Sequence, residues 1–177
     1  MIPGWLPFGT VIHDEHPFTD PEGVRDPVRR FRGRLVAPVT IVTAGAPVDR
    51  TGLTVSSIIV AEGDPSRIYF LCGTGTDLWE AILATGGFVV HILERSARDL
   101  SDRFAGIRPS PGGLFAGLEV EATRQGPVIA SIRTRARCTL GSYEEAGIYV
   151  LVEGIVDEIE LHDLTDPLQY FRGGYLA

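Results

Sequence analysis

The chain contains no lysine; all 16 of its basic residues are arginine. That absence excludes Schiff-base catalysis, a pyridoxal-phosphate linkage and a P-loop together, because each needs a primary amine. Cysteine is scarce as well. Cys72 and Cys138 both fall in apolar, strand-like runs without metal-ligand spacing, and they read as buried free thiols of a reducing compartment. No apolar run approaches the ~20 residues of a membrane-spanning helix. The N-terminus lacks the basic stretch and unbroken apolar core of a secretory signal. The expectation is a cytoplasmic protein with no membrane partner. Positive charge is in deficit, with 16 Arg against 23 Asp and Glu and a formal net charge of -7. A nucleic-acid partner is excluded on that ground, since a phosphate backbone requires an electropositive face.

What is present is enough for one domain with a full core: 177 residues at 44% hydrophobic content. Residues 1–22 are rich in proline and aromatics without helical or strand period, and read as an arm; residues 23–177 form the domain. The stretch that organises the domain is Gly52-Leu53-Thr54-Val55-Ser56-Ser57, inside a longer run over 49–61. Apolar β-formers alternate there with short hydroxyl residues, the period of a strand with one dry face and one wet face. Such a face either simply meets water or lies close under a flat polar ligand, with hydroxyls that donate without adding charge.

The flanking pattern supplies the rest. A short helix is expected over 24–34 with Pro27 in its first turn, where its missing N–H costs nothing. Strands are expected over 39–43 and 67–72, and a glycine-threonine loop, Gly73-Thr74-Gly75-Thr76-Asp77, opens a helix that runs to about Thr85. Asp77 and Glu80 have capping-box spacing. A buried strand follows over 88–93, then a helix over 96–104, and a glycine- and proline-rich excursion over 106–117. Strands near 118–122, 132–140 and 148–159 and a tail over 168–175 complete the chain. Six or seven hairpin-linked strands with two short inserted helices make an all-β barrel rather than a doubly wound sheet.

This order resembles the flavin reductase-like family of FMN-binding split barrels. The landmarks are Gly33-Arg34 before Val39-Thr40-Ile41-Val42-Thr43, then the hydroxyl stretch, then Asp64-Pro65 before a strand. They continue with Glu80-Ala81-Ile82 before Gly86, the 88–93 strand, Asp102-Arg103-Phe104-Ala105 and Tyr170-Phe171-Arg172-Gly173. The resemblance implies a six-stranded antiparallel barrel and a homodimer with flavin near the subunit interface. FMN is the implied cofactor, with FAD as the other flavin, and NADH or NADPH the co-substrate of a flavin reductase or of the reductase component serving a monooxygenase partner. It places Thr54, Val55, Ser56 and Ser57 along the isoalloxazine. Cys72, Gly73, Thr74, Gly75 and Thr76 go to the ribityl chain and phosphate, and Pro38 and Val39 to the ring edge. Phe104 becomes a cover, and Arg172 a site or dimer contact.

The chain departs from the family pattern at three places. Asp77 and Leu78 stand where a Ser-Ser/Thr pair is usual. Ala146-Gly147-Ile148 replaces a Gly-Asp-His segment associated with nicotinamide, and Pro38 replaces a glycine. The alternative these leave is a non-catalytic or electron-transfer split-barrel dimer with an altered flavin site.

Other residues carry weaker signals. His91, inside an apolar strand, reads as a hydrogen-bonded core residue, and His13-Asp14-Glu15-His16 as surface polarity rather than a metal site. Trp79 and Leu83 share a helix face and read as packing. Arg133, Arg135 and Arg137 alternate, so one strand would project all three from one face, either toward a phosphate or into a salt-bridged outer surface. No acid–base dyad is visible and none is required, because a flavin carries its own redox chemistry.

Overall fold

The computed structural model describes residues 26–176. The expected arm over 1–22 and the His13–His16 patch lie outside them. Helix α1 (Pro27–Arg32) starts where Asp26 accepts from the amides of Val28 and Arg29, with Pro27 in the first turn. It is shorter than its pattern suggested and buries none of its residues. Strands β1 (Ala37–Pro38), β2 (Thr40–Ala44), β3 (Thr51–Val55), β4 (Ile59–Ala61) and β5 (Arg67–Gly73) follow. Helix α2 (Asp77–Thr85) leads into β6 (Gly87–Ile92), and a single 3-10 turn (Arg95–Ala97) into α3 (Arg98–Phe104). The remaining elements are β7 (Val120–Ala122), β8 (Pro127–Ile129), β9 (Arg135–Ala146), β10 (Tyr149–Glu160), β11 (Gln169–Phe171) and β12 (Gly174–Tyr175).

Seven strands form one antiparallel sheet in the order β3-β2-β6-β9-β10-β5-β4. Its two ends, β3 and β4, are joined by residues 56–58 alone. Those residues span at most about 14 Å at strand rise, so the sheet must curl until its edges nearly meet. The run over 49–61 is therefore not one strand. It breaks at Ser56 and Ser57, where the chain passes from one edge of the sheet to the other.

Period-2 alternation then makes two cores. Every residue of β2 is buried, with Val42 inside the curl beside Phe70, Phe88, Val90 and Val152, and Ile41 outside it beside Leu93, Phe104 and Ile129. Leu78, Trp79 and Ile82 of α2 close the inner core, while Leu83 stays exposed and does not share that packing. Within it, Gly154 faces Phe88 so closely that a Cβ would collide with the ring. The excursion over 106–117 packs by Phe115, whose ring meets Phe104 edge-on at 5.2 Å.

Two local expectations shift. Thr76, not Asp77, caps α2, accepting from Trp79 N–H at 3.3 Å, which makes Asp77 the first helical residue and removes the Asp77–Glu80 pair as a capping box. Strand β9 begins at Arg135, so Arg133 is not part of the arginine stripe.

Candidate functional site

A cavity of about 540 Å³ opens beside the break between β3 and β4. Thr54, Val55, Ser56, Ser57 and Gly73 line it, joined by Leu71, Tyr149 and Tyr170. The remaining wall is basic: Arg29, Arg30, Arg32 and Arg34 from α1 and its exit, and Arg172 from the turn between β11 and β12. A second cavity, about 220 Å³, lies across Leu53 and is lined by Thr51, Thr76, Asp77, Phe104, Gly106 and Leu114 among others. Leu53 borders both.

The hydroxyls of the central stretch are not equivalent. Thr54 Oγ1 donates to the Ser101 carbonyl of α3 at 2.7 Å, which ties β3 to that helix. Ser57 Oγ accepts from Leu71 N–H at 3.0 Å and so stitches the crossing segment to β5. Ser56 has no such bond to the protein among the described residues and faces the cavity. These commitments hold the wall rigid, and Val55, 4% exposed, anchors it from the core side.

The other expected residues divide between the two cavities or lie away from both. Gly73 lines the larger cavity, and a Cβ there would meet Thr76 Cγ2 at 3.2 Å. The Cys72 side chain turns inward, fully buried, with Sγ 3.3 Å from Thr76 Oγ1 and burial pushing its thiol pKa up. Thr74 and Gly75 are exposed at the loop tip and line neither cavity. Thr76 and Phe104 border the smaller cavity, where the Phe104 ring packs under Gly52. Pro38 pairs with Gln169 of β11, and Val39 is buried in the outer core; neither lines a cavity.

The C-terminal hairpin sets the remaining wall. Tyr175 Oη donates to Asp102 Oδ1 at 2.7 Å and lies 2.9 Å from Ser101 Oγ, locking the hairpin on α3. Burial raises the Tyr175 pKa well above its ordinary value, so the phenol stays protonated. Arg172 N–H donates to the Gly33 carbonyl at 2.9 Å, joining the hairpin turn to the end of α1.

Three groups that the sequence left as alternatives are placed clear of the cavity. His91 is fully buried, its Nδ1 donating to the Ile41 carbonyl and its Nε2 accepting from Ile129 N–H, both at 3.1 Å. Desolvation lowers its pKa to about 4, so the ring is neutral and structural. Arg135 bonds Glu160 at 2.6 Å, and Arg137 bonds Glu158 at 2.5 Å and Glu160 at 2.7 Å. The stripe is the salt-bridged surface. Among the described residues no three His, Cys, Asp or Glu side chains gather as a metal site, and no helix is long and apolar enough to cross a membrane.

Sequence reasoning missed Tyr149 and the α1 arginines. The signal for the arginines was in plain sight, four of them between positions 29 and 34; nothing local marked Tyr149.

A wall of short side chains and backbone suits a planar ring, the basic residues on the other side suit an anionic ligand, and the volume falls in the roughly 300–1,000 Å³ range of cofactor sites. Comparison with known proteins agrees. A family profile described as "Flavin reductase like domain" matches residues 32–177. The chain is 32% identical over 169 residues to the NADH-dependent FMN reductase AsuE2 of Streptomyces nodosus subsp. asukaensis, covering 94% of this chain and 90% of that protein. It is 28% identical over 153 residues to the flavin-dependent monooxygenase reductase subunit HsaB of Mycobacterium tuberculosis, covering 83% and 80%. Among solved structures, a homologue of nitrilotriacetate monooxygenase component B from Mycobacterium thermoresistibile superposes with a TM-score of 0.75 at 28% identity, covering 84% of this chain and 83% of that one.

Proposed function

The chain belongs to the flavin reductase-like family, and from that premise we propose that it is an FMN-binding flavoprotein. It takes electrons from NADH or NADPH, acting as a flavin reductase or as the reductase component beside a monooxygenase. The observation that carries this is the 540 Å³ cavity in which residues 54–57 and Gly73 meet. Bound flavin supplies the two-electron chemistry, and the protein supplies position and environment. Ser56 and the wall behind it would hold the ring. The Gly73–Thr76 turn and the α2 N-terminus would hold the phosphate, because Thr76 caps only the Trp79 amide and leaves those of Asp77 and Leu78 free to meet an anion.

The finer architecture is part of the same reading. The curled sheet with a three-residue crossing between its edge strands supports a split barrel. A homodimer is supported by α1 and the segment after it, which present Val28 and Phe31, then Leu35 and Val36, to solvent, Phe31 at 66% exposure. Strand β4 adds Ile59 and Val60 on an open sheet edge, an apolar surface that a second copy would cover. Two buried free thiols support a cytoplasmic setting.

An FMN titration tests the cofactor directly. The expected result is a protein-bound flavin spectrum and, at about 100-fold excess over the dissociation constant, a melting temperature roughly 5–10 °C higher. NADH or NADPH oxidation in the presence of FMN tests the activity. A colourless protein inert to both nicotinamides would mean the non-catalytic alternative, and a yellow one inert to both an electron-transfer protein.

A further inference from the structure

Most of the described arginines outside the larger cavity have a partner within the protein: Arg50 and Arg98 lie over the Phe115 and Tyr175 rings, and Arg103 and Arg124 donate to the Ala116 carbonyl and the Thr139 hydroxyl. Arg67, Arg95, Arg108, Arg135 and Arg137 each hold a carboxylate partner. Arg30, Arg32, Arg34 and Arg172 have none among the described residues, and no Asp or Glu lines the cavity they share. In a chain with 23 acidic residues against 16 basic ones, an acid-free wall of guanidinium groups is an electrostatic exception. Helix-dipole complementarity accounts for basic residues in the last turn of α1, but not for Arg34 or Arg172, which lie outside that helix.

Backbone strain marks the same place. Arg172 is the only non-glycine among the described residues with a positive φ, at 50°, a conformation that costs an L-residue of this size roughly 1–2 kcal/mol. A glycine there would relieve the strain, as Gly173 does next door at φ 92°. The turn nevertheless carries an arginine, and its amide is bonded to Gly33, so the two basic pieces are held in one frame.

We infer that Arg30, Arg32, Arg34 and Arg172 form the phosphate-recognition site for the reduced nicotinamide dinucleotide, holding its pyrophosphate while the flavin phosphate lies across Leu53 at α2. The inference rests on the flavin reductase reading. Several cationic forks on one wall match two adjacent phosphates, whereas the mononucleotide tail of FMN brings one. Tyr149 and Tyr170 border the same cavity and offer aromatic faces to the dinucleotide's rings.

Calorimetric titration with ADP-ribose, which carries the pyrophosphate without the nicotinamide, tests this on the full chain, with FMN titrated in parallel. R30E/R34E should weaken ADP-ribose by at least about tenfold, since each charge-assisted contact contributes on that order, and leave FMN affinity within about twofold. All four arginines are exposed, so the folded state should tolerate the change. R172G separates binding from folding: it should weaken ADP-ribose severalfold without lowering the melting temperature. Equal losses for FMN and ADP-ribose would overturn the inference by giving the wall to the flavin phosphate. Unchanged ADP-ribose affinity would overturn it outright. Failure of the wild-type protein to bind FMN would defeat the flavin reading instead, and ADP-ribose binding to the flavin-free chain would still decide this one.

Discussion

Two arginine-bearing surfaces of this molecule have opposite relations to their surroundings. On β9, Arg135 and Arg137 are each 13% exposed and carry bonds to Glu158 and Glu160 of β10. On α1 and the β11–β12 turn, Arg30, Arg32, Arg34 and Arg172 are exposed and unpartnered among the described residues. The difference is the sheet. In β9 a period-2 register puts a carboxylate strand directly opposite, so charge is spent inside the fold, whereas α1 buries nothing and leaves its charge for a ligand. Stability should therefore respond to the first surface and binding to the second.

The largest expected effect lies under the paired surface. His91 is buried beside Arg135 and Arg137, and both guanidinium groups add to the desolvation that lowers its pKa to about 4. An unfolded histidine titrates near 6.5, so between those values the unfolded chain binds more protons than the folded one. The contribution is complete above about pH 6.5 and is lost as pH falls, about 2 kcal/mol by pH 5 and about 3 kcal/mol at pH 4. Urea unfolding of the wild type and H91Q at pH 7 and pH 5 measures it. The wild type should lose the larger amount; parallel losses would mean that the buried ring carries a proton.

A smaller effect contrasts the surfaces directly. R137M keeps the aliphatic stem but leaves Glu158 without its partner and Glu160 with Arg135 alone, and should cost about 2 kcal/mol, a buried-pair figure discounted for partial exposure. R34M should stay within about 0.5 kcal/mol. The Nε atoms of Arg135 and Arg137 are buried without a partner, so the network is not an optimised one, and R137M/E158L should recover part of the loss. Equal destabilisation by R137M and R34M would erase the contrast.

Much of this arrangement was legible beforehand, for reasons that differ by element. Strands β2, β5 and β6 were marked by β-branched and aromatic runs, and α2 by its apolar face and the Gly86 stop, which takes a left-handed φ of 71°. The helix start was misplaced by one residue because Thr76 and Asp77 are both good caps, and the threonine's position at the end of the Gly73 turn decides between them. Strand β8 was invisible. It has three residues beginning with a proline, and it is held by His91 from a strand nearly forty positions away. The site itself was half legible. The hydroxyl stretch announced a wall, but that it breaks between opposite sheet edges follows from the order of all seven strands, and the arginines acquire meaning only when the C-terminal turn is folded back on Gly33.

The smallest predicted effect bears on where the unpaired surface ends. Asp77 lines the lesser cavity with Thr76 and Phe104, on the far side of Leu53 from the arginines, and it is exposed. A carboxylate in the first turn of α2 favours the helix dipole by about 0.3–1 kcal/mol, and in water it opposes an incoming phosphate by roughly 1 kcal/mol or less. D77S exchanges one for the other. The flavin-free protein should melt slightly lower, and FMN should bind a fewfold more tightly, with the gain shrinking as salt rises because both charges are solvated. ADP-ribose affinity should not move. Should D77S instead tighten ADP-ribose and leave FMN alone, the pyrophosphate would belong at the α2 N-terminus and the flavin phosphate among the arginines, and the two cavities would exchange their ligands.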